Sequence, residues 1–163
     1  MKSHMDESIK AKHEDVKDKL KQFKENRTGL FPKLYENYMS SYSSINDGRF
    51  NAAANRLYYF FFHYMWIFRN IRYKHVYFQS KKEYITQRDG TRILKSRHKM
   101  MQEFVENDPN LPRNVKPLYE ILLDQRMTAD YNESLVEEVI INRCFNDLVD
   151  AMPKMLDCLG VKR

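Results

Sequence analysis

Four glycines and five prolines in 163 residues leave little turn material. That scarcity argues against a fold of many short strands and for long helices. Cysteine is scarcer still. Cys144 and Cys158, 14 positions apart, form neither a disulfide framework nor a metal-binding pattern, so a reducing, cytoplasmic setting is expected. The chain contains no glycine-rich phosphate loop, no G-x-S-x-G, no H-E-x-x-H and no paired C-x-x-C. Its five histidines, His4, His13, His63, His75 and His98, are too scattered to suggest a metal site, and neither metal nor other cofactor is expected. A long hydrophobic run is also missing. The most apolar stretch, Leu57 to Phe68, is 12 residues long and has His63 inside it, whereas a bilayer crossing needs about 20. It reads as a buried helix, with no membrane partner. The opening MKSHMDESIK lacks the apolar centre of a signal peptide.

What the chain does have is positive charge, concentrated in one segment. The formal net charge is +6. Residues 69–99 hold ten cations, Arg69, Arg72, Lys74, Lys81, Lys82, Arg88, Arg92, Lys95, Arg97 and Lys99, against only Glu83 and Asp89. The segment is therefore +8 and the remainder −2. A local patch of this kind fits a polyanionic partner better than a generally basic surface would. Tyr73, Tyr77, Phe78 and Tyr84 interleave with these cations, a combination that binds single-stranded RNA by phosphate contacts and base stacking. The plainer alternative is a solvated loop whose aromatics pack onto the protein.

Hydrophobic spacing predicts an all-α, up-and-down bundle of about five helices, residues 30–163, preceded by a charged helix within 1–29. In the first helix Ile9, Val16, Leu20 and Phe23 form a narrow apolar stripe, and Gly29 is a plausible C-terminal cap. The second helix starts near Pro32 with Leu34, Tyr38, Ser41 and Ile45 on one face, and Asn46-Asp47-Gly48 turns the chain. The third, about Arg49 to Arg72, is apolar around most of its circumference and should be the most enclosed. Residues 73–92 lose the helical period and read as a basic loop or small hairpin. A helix is expected from about Ile93 to Glu106 with Leu94, Met101 and Val105 on one face, ended by Pro109 and Pro112. The next spans about Val115 to Ala129. Ser134 and Glu137 suggest a capping box for a last helix reaching about Leu159, in which Pro153 should cause a kink or a stop.

Polar residues inside this apolar scaffold are the candidates for function. Arg56 and His63, seven apart, point the same way about two turns apart on the central helix. A buried arginine needs a partner, and Asp130, in DQRMTADY with Arg126 and Tyr131, is the obvious one. One reading makes Arg56 and Asp130 a structural ion pair and His63 a satisfied core histidine. The other makes them a nucleotide or phosphodiester site, with arginine binding phosphate and histidine moving a proton.

Three blocks, GRFNAAANRLYYFFFHYMWIF, SRHKMMQEFV and LPRNVKPLYEILLDQRMTADY, resemble the HEPN superfamily of small helical bundles. The likeness is greatest to the prokaryotic HEPN proteins often encoded beside small nucleotidyltransferases. A pattern A-x-x-R-x-Y-Y-x-x-F-H is met by Ala53, Arg56, Tyr58, Tyr59, Phe62 and His63. An H-x-x-x-x-x-F follows at His98 and Phe104, then R-x-x-A-D-Y at Arg126, Ala129, Asp130 and Tyr131. The resemblance covers roughly residues 33–158. It implies a homodimer, an RNA or nucleotide ligand, a nucleotidyltransferase partner, and a role in a toxin–antitoxin or phage-defence pair. Many members are metal-independent ribonucleases. In them an arginine steadies the phosphate while a histidine helps the neighbouring 2′-hydroxyl attack, leaving a cyclic phosphate. On that reading Arg56, His63, Arg126, Asp130 and Tyr131 are the catalytic candidates.

The chain departs from the family signature at its centre. The signature is an arginine, four to six residues, then a histidine, but after Arg126 that place is taken by Tyr131. A tyrosine, with an ordinary pKa of about 10, is a poor general base at neutral pH. Arg69 with Asn70 and His75, and Arg92 with His98, also fit the spacing. Three functions stay open: an RNA-binding or RNA-cleaving toxin, a non-catalytic module engaging nucleotide or a nucleotidyltransferase, and a dimerising scaffold.

Overall fold

A computed structural model describes residues 7–27, 29–72, 84–94, 96–131 and 135–160. Among them are six helices and one two-stranded hairpin: α1 Glu7–Asn26, α2 Phe31–Asn46, α3 Phe50–Arg72, β1 Tyr84–Thr86, β2 Arg92–Leu94, α4 Arg97–Asn107, α5 Val115–Tyr131 and α6 Glu138–Asp157. The architecture is an all-α bundle. None of the described helices is long and apolar enough to cross a membrane.

The central helix is α3. It packs against α2, α4, α5 and α6, every described helix except α1. Ala53, Ala54, Leu57, Tyr58, Phe60, Phe61, Tyr64 and Met65 are all fully enclosed. A helix apolar around its circumference is driven to the middle because no orientation exposes only polar groups. The tight turns flanking α2 place Gly29 and Gly48 at φ of 73° and 71°, a left-handed conformation that costs glycine little and a side-chain-bearing residue much.

The charged helix α1 lies on the bundle, against α2 and α6. Its stripe is buried as spaced, Ile9, Val16, Leu20 and Phe23, and a fifth residue sits on the same line: His13, 2% exposed. Its ring stacks on Tyr42 at 4.0 Å between centroids, and lies 5.4 Å from Tyr38 and 6.0 Å from Phe145. His13 Nδ1 shares a hydrogen bond of 2.7 Å with the Tyr38 hydroxyl. Burial lowers the His13 pKa, so the imidazole is neutral at pH 7 and suits an aromatic box. On the surface, Lys12 adds an ion pair to Asp150 of α6.

Several boundaries differ from the sequence expectation. The helix expected from Ile93 begins at Arg97, because Ser96 caps it by accepting a hydrogen bond from the Lys99 N–H at 3.1 Å. Ile93 and Leu94 instead pair in the hairpin, opposite Ile85 and Tyr84, and Leu94 is exposed, not core-facing. Helix α6 begins at Glu138, with Glu137 as a cap that makes no side-chain bond, so the expected capping box does not open it; Ser134 lies outside the described residues. Its approach is fixed by Asn51, whose side-chain oxygen accepts the Val136 N–H at 3.0 Å. Nor does Pro153 end α6, which continues to Asp157. Met152, Met155 and Leu156 are buried on either side of it, and this packing outweighs the one backbone hydrogen bond that proline removes.

Two substitutions test these points. His13→Ala opens a cavity and leaves the Tyr38 hydroxyl unpaired, and should lower stability by about 2–4 kcal/mol in urea denaturation. Pro153→Ala restores the missing N–H and should raise stability by about 1–3 kcal/mol in the same assay.

Candidate functional site

One polar cluster forms where α5 faces α3, with α4 closing the side. Arg126 and Asp130, one turn apart on α5, pair through Nε at 3.3 Å. Their side chains are 15% and 28% exposed. The Arg126 guanidinium lies over the rings of Tyr58 and Tyr59, 4.7 and 5.2 Å from their centroids, and its Nη2 donates to the Tyr59 hydroxyl at 3.4 Å. Asp130 takes a second hydrogen bond from Asn55 Nδ2 at 3.1 Å. His98 enters from the first turn of α4. Its Nδ1 shares a 2.7 Å hydrogen bond with the Tyr58 hydroxyl, and its ring stacks on Tyr58 and meets Phe62 at 4.8 Å.

The electrostatics follow from this packing. Burial, then the charge of Arg126, lowers the His98 pKa, so His98 is neutral at pH 7. Burial works against the charge on Arg126 too, but Tyr59, Tyr58 and Asp130 outweigh it and its pKa is raised. The cluster is thus a fixed cation on an aromatic platform, beside a neutral imidazole and one carboxylate.

His63 belongs to a different place, on the side of α3 that faces α2. A groove of about 530 Å³ there is lined by Lys33, Glu36, Asn37 and Ser40 of α2 and by Arg56, Tyr59 and His63 of α3. The spacing on each helix, i to i+3 or i+4 to i+7, sets one face of α2 against one face of α3. Asn37 is buried and its Nδ2 donates both to the Lys33 carbonyl at 2.9 Å and to His63 Nδ1 at 3.2 Å. Burial, then the Lys33 charge, holds the His63 pKa down to about 4. Tyr59 is the wall common to the two places, since it lines the groove and holds Arg126.

The sequence-predicted residues divide accordingly. Arg126, Asp130 and His98 come together with Tyr58 and Tyr59, and Arg56 and His63 share the groove. The expected pairing of Arg56 with Asp130 does not form: Arg56 is exposed, and its neighbour Asn55 reaches Asp130 instead. Tyr131, at the end of α5, is 70% exposed. Of the proposed RNA-binding cations, Arg72, Arg88, Arg92, Arg97 and Lys99 are exposed. Arg69 is buried, with its guanidinium 5.8 Å from the Trp66 ring centroid, because the last turn of α3 still faces the bundle. Lys74, His75, Lys81, Lys82 and Lys95 lie outside the described residues. Asn37, Asn55, Lys33 and Ser40 were not among the candidates. Lys33, Asn37 and Ser40 do form a polar stripe about 100° round the helix from the Leu34, Tyr38, Ser41 face, which is the signal that could have found them. No groups of three or more metal-ligating side chains occur among the described residues. No protein-family model, curated protein or solved structure matches this chain.

Histidine NMR tests the electrostatics. His63 should titrate near pH 4 and His98 below 6.5. Arg126→Ala, which removes a neighbouring positive charge, should move the His98 midpoint upward. In the unfolded chain both rings titrate near 6.5, so their contribution to stability is complete above that pH and is lost as pH falls below it, toward about 4 for His63. Urea midpoints should therefore be lower at pH 5 than at pH 7.

Proposed function

We infer that this chain is a HEPN-type bundle that binds RNA, as a component of a toxin–antitoxin or phage-defence system. One observation carries the reading. Residues from the three sequence blocks that resemble HEPN proteins, widely separated in the chain, meet in a single cluster: Tyr58 and Tyr59, His98, and Arg126 with Asp130. Arg126 offers a phosphate a cation already held in place by its aromatic platform. Arg97 and Lys99 on α4 and Arg88 and Arg92 on the hairpin add exposed positive charge in the adjoining part of the chain. Exposed Met127 and Tyr131 on α5, with Leu135 and Val139 beyond it, support a homodimer or a nucleotidyltransferase partner covering that end.

Binding without cleavage is favoured over a nuclease, because Tyr131 stands where the signature histidine is expected and His63 faces α2, away from Arg126. Metal-independent cleavage is the second reading. Its support is the neutral His98 imidazole, hydrogen-bonded to Tyr58 over whose ring the Arg126 guanidinium lies.

Fluorescence anisotropy with labelled single-stranded RNA tests both. For four phosphate contacts, affinity should fall about 50-fold between 50 and 200 mM salt, and Arg126→Ala should weaken it at each salt. The RNA should remain intact with EDTA present. Salt-independent binding, or none, would overturn the RNA reading, and EDTA-resistant cleavage lost in His98→Ala would establish the nuclease.

A further inference from the structure

The groove between α2 and α3 has a chemistry that the Arg126 cluster does not account for. It begins with Asn37. An amide NH₂ can only donate, and the Lys33 carbonyl 2.9 Å from Asn37 Nδ2 fixes which end of the amide points that way. The same nitrogen lies 3.2 Å from His63 Nδ1, so Nδ1 must accept. A neutral imidazole has one acceptor and one N–H. With Nδ1 accepting, the proton is on Nε2.

Nε2 makes no hydrogen bond with the described residues, yet none of their buried side-chain nitrogens or oxygens lacks a partner. It follows that Nε2–H reaches solvent. Around it the groove presents two cations, Lys33 and Arg56, and two hydroxyls, Ser40 and Tyr59. The single carboxylate lining it, Glu36, leans toward Lys24 at 3.9 Å. The wall is therefore rich in donors and net positive.

We propose that this groove is a phosphate-binding subsite in which Lys33 and Arg56 supply charge, Ser40 and Tyr59 supply hydroxyls, and His63 serves as an N–H donor and not as a base. The assignment of the ligand as a nucleotide phosphate rests on the RNA reading; the phosphate chemistry itself does not. Tyr59 lines this groove and also carries Arg126 near its ring, so a chain bound at both places would pass Tyr59. Protonation of His63 is opposed by the same amide, since an Nδ1–H would point at an NH₂ donor.

Side-chain ¹H–¹⁵N spectra of the histidines, titrated with inorganic phosphate and then with adenosine 5′-monophosphate against sodium chloride of matched ionic strength, decide the matter. The unliganded spectrum should show His63 as the Nε2–H tautomer. Phosphate should shift its resonances saturably, with affinity at least tenfold weaker in Arg56→Ala and in Lys33→Ala, while the His98 signals of the unliganded variants match the wild type and report an intact fold. Tighter binding of the monophosphate than of inorganic phosphate would identify a nucleotide as the source. An Nδ1–H tautomer, no saturable shift, or equal affinity in both variants would overturn the proposal. Saturable phosphate binding in a protein that fails to bind RNA would uphold the groove and overturn the RNA reading. RNA binding unaltered in Arg56→Ala, with His63 silent to phosphate, would do the reverse.

Discussion

A helix enclosed by four others cannot leave a polar group unpaired, and that constraint organises this protein. Helix α3 supplies the core, but it also carries Asn55, Tyr58, Tyr59, His63 and Tyr64. Each is answered by a group from a neighbouring helix. The Tyr64 hydroxyl donates to the Met155 carbonyl of α6 at 2.7 Å. Tyr58 meets His98 of α4, Tyr59 meets Arg126 of α5, His63 meets Asn37 of α2, and Asn55 meets Asp130 of α5. Apolar packing alone would let each neighbouring helix slide or turn at small cost. A hydrogen bond to a buried hydroxyl does not, because losing it leaves a desolvated group at a cost of about 1–3 kcal/mol. The ring of polar contacts around α3 therefore fixes the register of the surrounding helices, and the candidate site is made of the same contacts.

The histidines show how burial sets chemistry. His13, His63 and His98 all have their pKa lowered, with burial the first cause in each case. None contributes a charge at pH 7, so the positive field of the described residues comes from lysine and arginine alone. This separates two kinds of position. His13 sits in an aromatic box and joins α1 to α2. His63 and His98 sit at the edges of the core, where one ring nitrogen is tied to the protein.

Much of the fold was legible because helical periodicity reports which residues share a face. The stripe of α1, the buried face of α2 and the enclosure of α3 were all visible as spacing. Periodicity does not report what stands opposite a face. Successive residues on a helix differ in direction by about 100°, so the choice between Asn55 and Arg56 as the partner of Asp130 turned on the rotation of α3 within the bundle, which no local pattern encodes. His13 escaped notice because an apolar count skips histidine, although its place between Ile9 and Val16 is on the stripe. Ser96 shows a different limit. Ile93 and Leu94 suit a strand or a helix, and a single capping serine after them moved the start of α4 by four residues.

Whether such a site binds or catalyses comes down to the valence of one ring. A neutral imidazole that acts as a base must present an unprotonated nitrogen to the reacting hydroxyl. At His63 that nitrogen is Nδ1, and a buried amide already occupies it; freeing it would require turning Asn37 away from the Lys33 carbonyl. Rotating the His63 ring instead would set an N–H against an NH₂. Both routes break a contact that orders α2 against α3. The protein has thus spent the acceptor of His63 on its own architecture, and what remains for a ligand is a donor. A fixed donor, two exposed cations and a shared tyrosine wall are the groups an anion requires, and they are what support the proposed phosphate subsite.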